Sequence, residues 1–209
     1  MARARLTKAR LLGIDRSAPP PPETRRGAPL RPWTIPNAIG FVRLALIPVF
    51  LVLALGSGDG RIASASIVYA VVGGTDYLDG IAARVTGQYS RLGVLLDPLT
   101  DRLLVVSGVV VCWHFELLPR WALAVLAARE VAMLGISQAA LRRGADIDVN
   151  MVGRLGVWPT MFSLFLAMVS VTWVAEALLY IGLAMTLAAT IMYVRDGLED
   201  IRETPSTPT

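Results

Sequence analysis

Four aspartates fall within one short segment of the chain, residues 76–101. Asp76 and Asp79 are three residues apart, and Asp97 and Asp101 are four apart, so each pair shares one face if its segment is helical. Two neighbouring helices would bring both pairs together. Converging carboxylate oxygens suit Mg²⁺ or Mn²⁺, and two such ions can hold a phosphoryl group during displacement. The spacing therefore predicts a site with two Mg²⁺ or Mn²⁺ ions that acts on a phosphate compound.

Small residues accompany both aspartate pairs. Gly80 and Ala83 continue the face of the first pair, and Gly93 precedes the second pair by one helical turn. A glycine lets a bulky ligand approach the backbone closely. The alternative is that the aspartates cap helix ends or pair with nearby arginines such as Arg84. Four carboxylates on two faces, flanked by glycines, favour the metal site.

The segments that must position these aspartates are strongly apolar. Of the 209 residues, 55% are hydrophobic and 17% are charged, whereas soluble domains usually carry about a quarter charged residues. One Cys and one His exclude a disulfide framework and a Cys/His metal site. A helix of about 20 residues crosses a bilayer. Apolar blocks of roughly that length lie near residues 38–55, 62–83, 93–115, 121–141, 151–171 and 174–194. The pattern predicts an all-α, polytopic membrane protein with six transmembrane helices.

The charged residues predict how these helices are oriented. Residues 1–32 are basic and proline-rich and are expected to form a disordered cytoplasmic arm; residues 33–195 form the membrane domain, and residues 196–209 a polar C-terminal tail. Most Arg and Lys residues fall in the arm, with which Arg43 is counted, and in alternate breaks, while Arg61 and Arg120 fall on the other side. The positive-inside rule then predicts a multi-pass cell-membrane protein with both termini cytoplasmic. A single lysine among 20 basic residues is typical of a GC-rich bacterial genome. No pattern indicates nucleic-acid binding.

The aspartate segment resembles the signature of the CDP-alcohol phosphotransferase family, also called the CDP-alcohol phosphatidyltransferase family, at every fixed position. The signature is D-x2-D-G-x2-A-R-x8-G-x3-D-x3-D, and its positions here are Asp76, Asp79, Gly80, Ala83, Arg84, Gly93, Asp97 and Asp101. The resemblance runs from Pro36 to about Tyr193. It implies a six-helix fold, usually homodimeric, around a polar cavity that opens to the cytoplasm.

The resemblance also implies roles for these residues. In the family, the first three aspartates bind two divalent ions that hold the diphosphate of CDP-diacylglycerol. The fourth, Asp101, is the expected base for the acceptor hydroxyl and a further metal ligand. The nucleotide and the CDP-lipid are expected to contact Gly80, Ala83, Arg84 and Gly93.

Within the family, the opening segment IPNAIGFVRLALIPVF and ARE at residues 128–130 resemble phosphatidylglycerophosphate synthases. Those enzymes transfer the phosphatidyl group of CDP-diacylglycerol to glycerol 3-phosphate. The phosphate of that acceptor would be bound by Arg129, Arg142, Arg143 and Arg154. Gly156 and Val157 depart from the pattern, since those synthases carry Lys and Thr there. SRLG at residues 90–93 and Arg102 resemble the cardiolipin synthases of the family, whose acceptor is phosphatidylglycerol, and a phosphatidylinositol-phosphate synthase is a further alternative.

A divalent-cation transporter is the alternative from a different class of protein, since carboxylates within a membrane often mark ion paths. A path needs acidic residues at several depths. Here they concentrate at one end, and the opposite half offers Asp59, Glu116 and Glu176. We therefore expect a transferase whose partners are CDP-diacylglycerol, an alcohol acceptor, membrane lipids and a second copy of the chain.

Overall fold

The computed structural model describes residues 29–143 and 151–203, and these residues form six α-helices and no strand. The helices are α1 Ile35–Leu55, α2 Ala63–Thr86, α3 Arg91–His114, α4 Arg120–Arg143, α5 Met151–Val169 and α6 Trp173–Glu203. Each predicted apolar block coincides with one of these helices. The largest difference lies in α6, which continues to Glu203 and so includes the first part of the polar tail. The predicted all-helical class is confirmed.

Two of the helices are long and apolar enough to cross a membrane: α1 over its whole length and α6 over Trp173–Met192. In α5 the apolar stretch is shorter, Gly156–Val169. The aspartates interrupt the apolar sequence of α2 and α3. Length and composition thus support two spans within residues 29–143 and 151–203, fewer than the six predicted.

The chain divides into two compact units. The first contains α1, α2 and the part of α3 that ends at Ser107. The second contains Ser57–Ile62, the remainder of α3, and α4, α5 and α6. All four aspartates of the signature lie in the first unit.

In the first unit, local sequence sets the helix ends that position the aspartates. Thr34 caps α1 by accepting a hydrogen bond from the backbone N–H of Asn37 at 3.4 Å. Along α1 and α2, the rings of Phe50 and Tyr69 lie 5.1 Å apart. After Thr86, Gly87 adopts φ of +64°, a left-handed conformation that favours glycine and ends α2. A short turn, residues 87–90, then leads into α3.

The second unit is built around α6, which packs against α5 and also contacts α4. The rings of Trp121 on α4 and Tyr180 on α6 stack with centroids 5.5 Å apart. Between α5 and α6, Ser163 donates a hydrogen bond to the carbonyl of Ala175 at 2.6 Å. The core of this unit is aliphatic, and its fully buried side chains include Leu123, Leu126, Leu164, Met168 and Leu179.

Candidate active site

Arg43 lies at the centre of the polar cluster in the first unit. It belongs to α1, and 1% of its side chain is exposed. Its Nη1 donates hydrogen bonds to Asp76 Oδ1 at 3.0 Å and to Asp79 Oδ2 at 2.9 Å. Its Nη2 donates to Asp101 Oδ1 at 2.9 Å. One buried guanidinium therefore joins carboxylates from α2 and α3.

A fourth hydrogen bond orients this guanidinium. Nε of Arg43 donates to the backbone carbonyl of Val72 at 3.0 Å, one helical turn before Asp76. Because the guanidinium is planar and its donors have a fixed arrangement, a bond from Nε also fixes the direction of both Nη atoms. The backbone of α2 thereby sets the plane in which the carboxylates are bound.

The two aspartates of α2 differ in exposure, although both bind the same Nη1. Their shared partner shows that Asp76 and Asp79 lie on one face of α2, as the spacing of three residues requires. Asp79 is buried, whereas 41% of the Asp76 side chain is exposed. The cluster therefore has an accessible edge at Asp76 and a closed side at Asp79.

On α3, the two aspartates are placed one turn apart. The side chain of Asp101 is 33% exposed and is held by Arg43. Asp97 is half-buried, and within the described part of the chain no hydrogen bond joins it to Arg43. Three of the four carboxylates therefore bind the same arginine. The fourth, Asp97, lies one helical turn before Asp101 on α3.

The charges of this cluster do not balance among themselves. Asp76, Asp79 and Asp101 carry three formal negative charges, and the guanidinium of Arg43 that binds all three carries one positive charge. Taking charged groups out of water is costly unless opposite charge compensates for it. The excess negative charge and the accessible edge at Asp76 favour binding of a further cation.

Carboxylate oxygens are the hard ligands that Mg²⁺ and Mn²⁺ prefer, so the donor set fits a divalent ion chemically. In residues 29–143 and 151–203, however, no three side chains of His, Cys, Asp or Glu are grouped closely enough to hold a metal ion as they stand. The geometry of the carboxylates is instead set by Arg43, around whose positive charge three of them are arranged.

The residues expected to contact the nucleotide on α2 follow the first aspartate pair directly. A Cβ on Gly80 would lie 3.5 Å from both Nη atoms of Arg84, so the bare backbone of Gly80 lies beneath this guanidinium. Ala83 and Arg84 are both half-buried. The structure therefore brings Gly80 and Arg84 together on α2 beside Asp79.

Gly93, at the start of α3, lies against a hydrogen-bond network that joins α3 to α1. A Cβ there would lie 2.9 Å from Asn37 Oδ1 and 3.2 Å from Ser90 Oγ. Ser90 Oγ donates to Asn37 Oδ1 at 2.8 Å and accepts from the backbone N–H of Gly93 at 3.0 Å. The Asn37 amide also donates to the carbonyls of Arg31 at 3.0 Å and Pro32 at 3.2 Å. The missing side chain of Gly93 makes room for this buried network.

In the second unit, the guanidinium of Arg129 is already paired. Its Nη1 contacts Glu130 Oε1, and its Nε donates to Thr190 Oγ1 at 3.2 Å. The side chain of Glu130 is 5% exposed, so the two charges neutralise each other in a buried place. The other arginines expected to bind the acceptor have side chains outside the described part of the structure; these are Arg142, Arg143 and Arg154.

Two residues of the site were not predicted from the sequence, Arg43 and Asn37. The predicted apolar block 38–55 already contains Arg43, but from the sequence Arg43 entered only the charge count that sets the orientation and was given no role; in the structure its side chain is buried among the aspartates. The available signal was its position as the one charged residue in a 21-residue apolar helix. Such a charge needs a buried partner. Asn37 gave a weaker signal, as one amide among apolar residues.

Comparison with known proteins shows which family of proteins the chain is similar to. Residues 33–190 match the family model described as CDP-alcohol phosphatidyltransferase. A CDP-diacylglycerol–glycerol-3-phosphate 3-phosphatidyltransferase of Bacillus subtilis is 31% identical over 138 residues, covering 60% of this chain and 72% of that protein. A cardiolipin synthase (CMP-forming) of Streptomyces coelicolor is 39% identical over 170 residues, covering 78% of this chain and 79% of that protein. A probable phosphatidylglycerophosphate synthase of Mycobacterium tuberculosis is 28% identical over 173 residues, covering 79% and 82%.

Proposed function

The chain belongs to the CDP-alcohol phosphatidyltransferase family, and we propose that it transfers the phosphatidyl group of CDP-diacylglycerol to glycerol 3-phosphate, giving phosphatidylglycerophosphate and CMP. It is a transferase, and the similar proteins carry names from phospholipid biosynthesis. The observation that carries the proposal is the convergence of Asp76, Asp79 and Asp101 from two helices on Arg43.

Divalent metal ions fit this reaction, since the family is generally dependent on them. We expect Asp76, Asp79 and Asp97 to hold two Mg²⁺ or Mn²⁺ ions, with Asp101 as a further ligand. Bound ions would neutralise the diphosphate of the CDP-lipid and stabilise the charge on the departing CMP. The nucleotide and the lipid phosphates would lie along α2 and the start of α3, beside Gly80, Ala83, Arg84 and Gly93.

Asp101 is the proposed general base. Arg43 binds its Oδ1, which fixes the orientation of the carboxylate, and Oδ2 is the oxygen that we expect to accept the proton. A third of the side chain is exposed, so an acceptor hydroxyl can reach it. The hydroxyl oxygen of the acceptor attacks the phosphatidyl phosphorus while Asp101 takes the hydroxyl proton. The electron pair of the broken P–O bond leaves with CMP.

Glycerol 3-phosphate is the proposed acceptor, with its phosphate bound by arginines of α4 and α5. This pocket would include Arg129, Arg142, Arg143 and Arg154. Of these arginines, Arg129 forms an ion pair with Glu130, which partly compensates its charge. Phosphatidylglycerol is the second candidate acceptor, because the 39% identical relative is named a cardiolipin synthase. The cation-transport alternative has no support, since the matched family is one of transferases.

The proposed setting is a bacterial cell membrane. The apolar spans of α1 and α6 support membrane insertion. We propose that α2, α3, α4 and α5 also cross the membrane, around a polar cavity that opens to the cytoplasm. Residues 1–32, most of which lie outside the described part of the structure, would form a cytoplasmic arm, and both termini would be cytoplasmic. A homodimer is the proposed assembly.

The reaction is tested with purified protein in lipid nanodiscs, supplied with CDP-diacylglycerol and Mg²⁺. Separate reactions receive glycerol 3-phosphate, phosphatidylglycerol or inositol 1-phosphate, and mass spectrometry identifies the lipid product beside the released CMP. We expect phosphatidylglycerophosphate from glycerol 3-phosphate and no new lipid from the other two. If cardiolipin from phosphatidylglycerol is the only new lipid, phosphatidylglycerol is the acceptor and the proposed acceptor is wrong. If no reaction releases CMP, the proposed transferase activity is wrong. In the same assay Asp97→Asn, which removes a proposed metal ligand, should release no CMP, whereas the matched control Asp59→Asn, in the loop after α1, should retain turnover.

A further inference from the structure

We propose that Arg43 is a positioning residue that acts as an internal counter-cation. It holds Asp76, Asp79 and Asp101 together in the metal-free chain and competes with the divalent cation for these carboxylates. The inference rests on the proposed function in one respect, namely that the carboxylates are metal ligands.

The burial of Arg43 shows how strongly it depends on these partners. Its side chain is 1% exposed in a helix that has no other charged residue, and Nε, Nη1 and Nη2 all donate hydrogen bonds. A buried guanidinium is tolerated where carboxylates compensate its charge. The dependence is mutual, because Asp79 is buried as well and its Oδ2 is bound by Nη1.

The guanidinium of Arg43 occupies the position that a bridging cation would take between the carboxylates. Nη1 lies between Asp76 and Asp79, and Nη2 reaches Asp101 on the other helix. Like charges a few ångströms apart repel one another strongly where water is excluded. Without a cation at this position, the carboxylates would separate and α2 and α3 would lose their common partner.

Competition follows from the same contacts. A divalent ion and the guanidinium are both attracted to the carboxylates of Asp76 and Asp79, so each weakens the binding of the other. Asp97 has no hydrogen bond to Arg43 among the described residues, and Asp76 is 41% exposed. An incoming ion therefore meets least competition from Arg43 at Asp97, and Asp76 is the most exposed of the three carboxylates that Arg43 binds.

The first measurement is thermal unfolding of the full chain in detergent with EDTA present. Arg43→Gln should lower the Tm by roughly 6–20 °C, because it leaves the aspartates without their cation. Arg43→Lys keeps the charge and should recover more than half of that loss. Arg120→Gln is the matched control: Arg120 forms an exposed ion pair with Glu116 at 3.0 Å, and its loss should shift the Tm by less than about 4 °C.

The second measurement is Mn²⁺ binding, followed by the loss of the electron paramagnetic resonance signal of the free ion. Arg43→Gln should bind Mn²⁺ roughly 10-fold more tightly than the wild type, because a competing positive charge is removed. Mn²⁺ should also raise the Tm of this variant more than that of the wild type. Arg43→Lys should bind Mn²⁺ about as the wild type does. Unchanged or weaker Mn²⁺ binding by Arg43→Gln would show a purely structural role and overturn the proposal.

Two further comparisons test the counter-cation role and the metal site separately. If Arg43→Gln does not fold, the double variant Arg43→Gln/Asp76→Asn, which lacks one of the repelling charges, should show a measurable unfolding transition. A double variant that is equally unfolded would overturn the counter-cation role. Wild-type protein that binds no Mn²⁺ would instead overturn the metal site of the proposed function, a result distinct from equal binding by wild type and Arg43→Gln.

Discussion

Gly182 of α6 lies directly against the backbone of Thr160 on α5. A Cβ on Gly182 would stand 2.8 Å from the nitrogen of Thr160 and 3.1 Å from its Cα. Backbone atoms cannot turn aside as the end of a flexible side chain can, so only glycine allows the two helices to approach this closely. The contact sets the distance between α5 and α6 in the second unit.

Gly182→Ala should therefore force α5 and α6 apart. Overpacking of this kind costs about 1–3 kcal/mol, which corresponds to a fall in Tm of roughly 2–12 °C for a chain of this size. Gly135→Ala on α4 is the control, because a Cβ there meets nothing within 4 Å. Differential scanning fluorimetry of both variants in detergent makes the comparison, and equal Tm values would contradict the packing argument.

Removal of a single ligand charge from the aspartate cluster should abolish metal-supported binding of CDP-diacylglycerol. Asp76→Asn, Asp79→Asn and Asp97→Asn each remove one charge while preserving side-chain shape. Binding of the CDP-lipid is measured with and without Mg²⁺, and Glu116→Gln, at an exposed site, is the control. Undiminished Mg²⁺-dependent binding in all three variants would contradict the two-metal site.

Asp101→Asn distinguishes the proposed role of Asp101 as the general base from a role as a metal ligand. It keeps the shape of the side chain and removes its basicity, so CDP-lipid binding should persist while kcat falls about 10²- to 10⁴-fold. Lipid binding is compared with single-turnover CMP release at saturating Mg²⁺. Loss of binding as complete as in Asp76→Asn would make Asp101 mainly a ligand, and nearly normal turnover would assign proton transfer to another group.

Gly93→Ala tests whether Gly93 serves the Asn37 network. The new methyl group would collide with Asn37 Oδ1 and Ser90 Oγ, which lie 2.9 Å and 3.2 Å from its position. We expect a fall in stability of about 1–3 kcal/mol, measured by thermal unfolding. An Asn37→Ala background removes the closer of these two atoms, so Gly93→Ala should cost clearly less there. An equal cost in both backgrounds would show that the glycine is required for another reason.

Arg154→Ala tests the proposed acceptor pocket. Losing a charge-assisted contact to phosphate should raise the apparent KM for glycerol 3-phosphate roughly 10- to 100-fold. The apparent KM for CDP-diacylglycerol should change far less. Steady-state kinetics with each substrate varied in turn provide the comparison, with Arg120→Ala as the control. Equal effects on both substrates would assign Arg154 a structural role.

Features that depend on local sequence were predictable. The apolar blocks predicted six helices, and the structure contains a helix at each block within its described ranges. The spacing of Asp76 and Asp79 placed them on one face of α2, where they share Nη1 of Arg43. Helical periodicity relates residues three or four positions apart, so such statements need no knowledge of the rest of the fold.

Contacts between distant parts of the chain were decided only by the tertiary structure. Arg43 precedes Asp76 by 33 residues and Asp101 by 58, and its position in an apolar segment does not show which acidic residues it binds. The contact of Gly93 with Asn37, which lies 56 residues earlier on another helix, is likewise not visible in the sequence. A sequence shows that a buried charge needs a partner and that a glycine leaves room. Which residues pair with that charge, and which side chains lie beside that glycine, depends on how the helices pack.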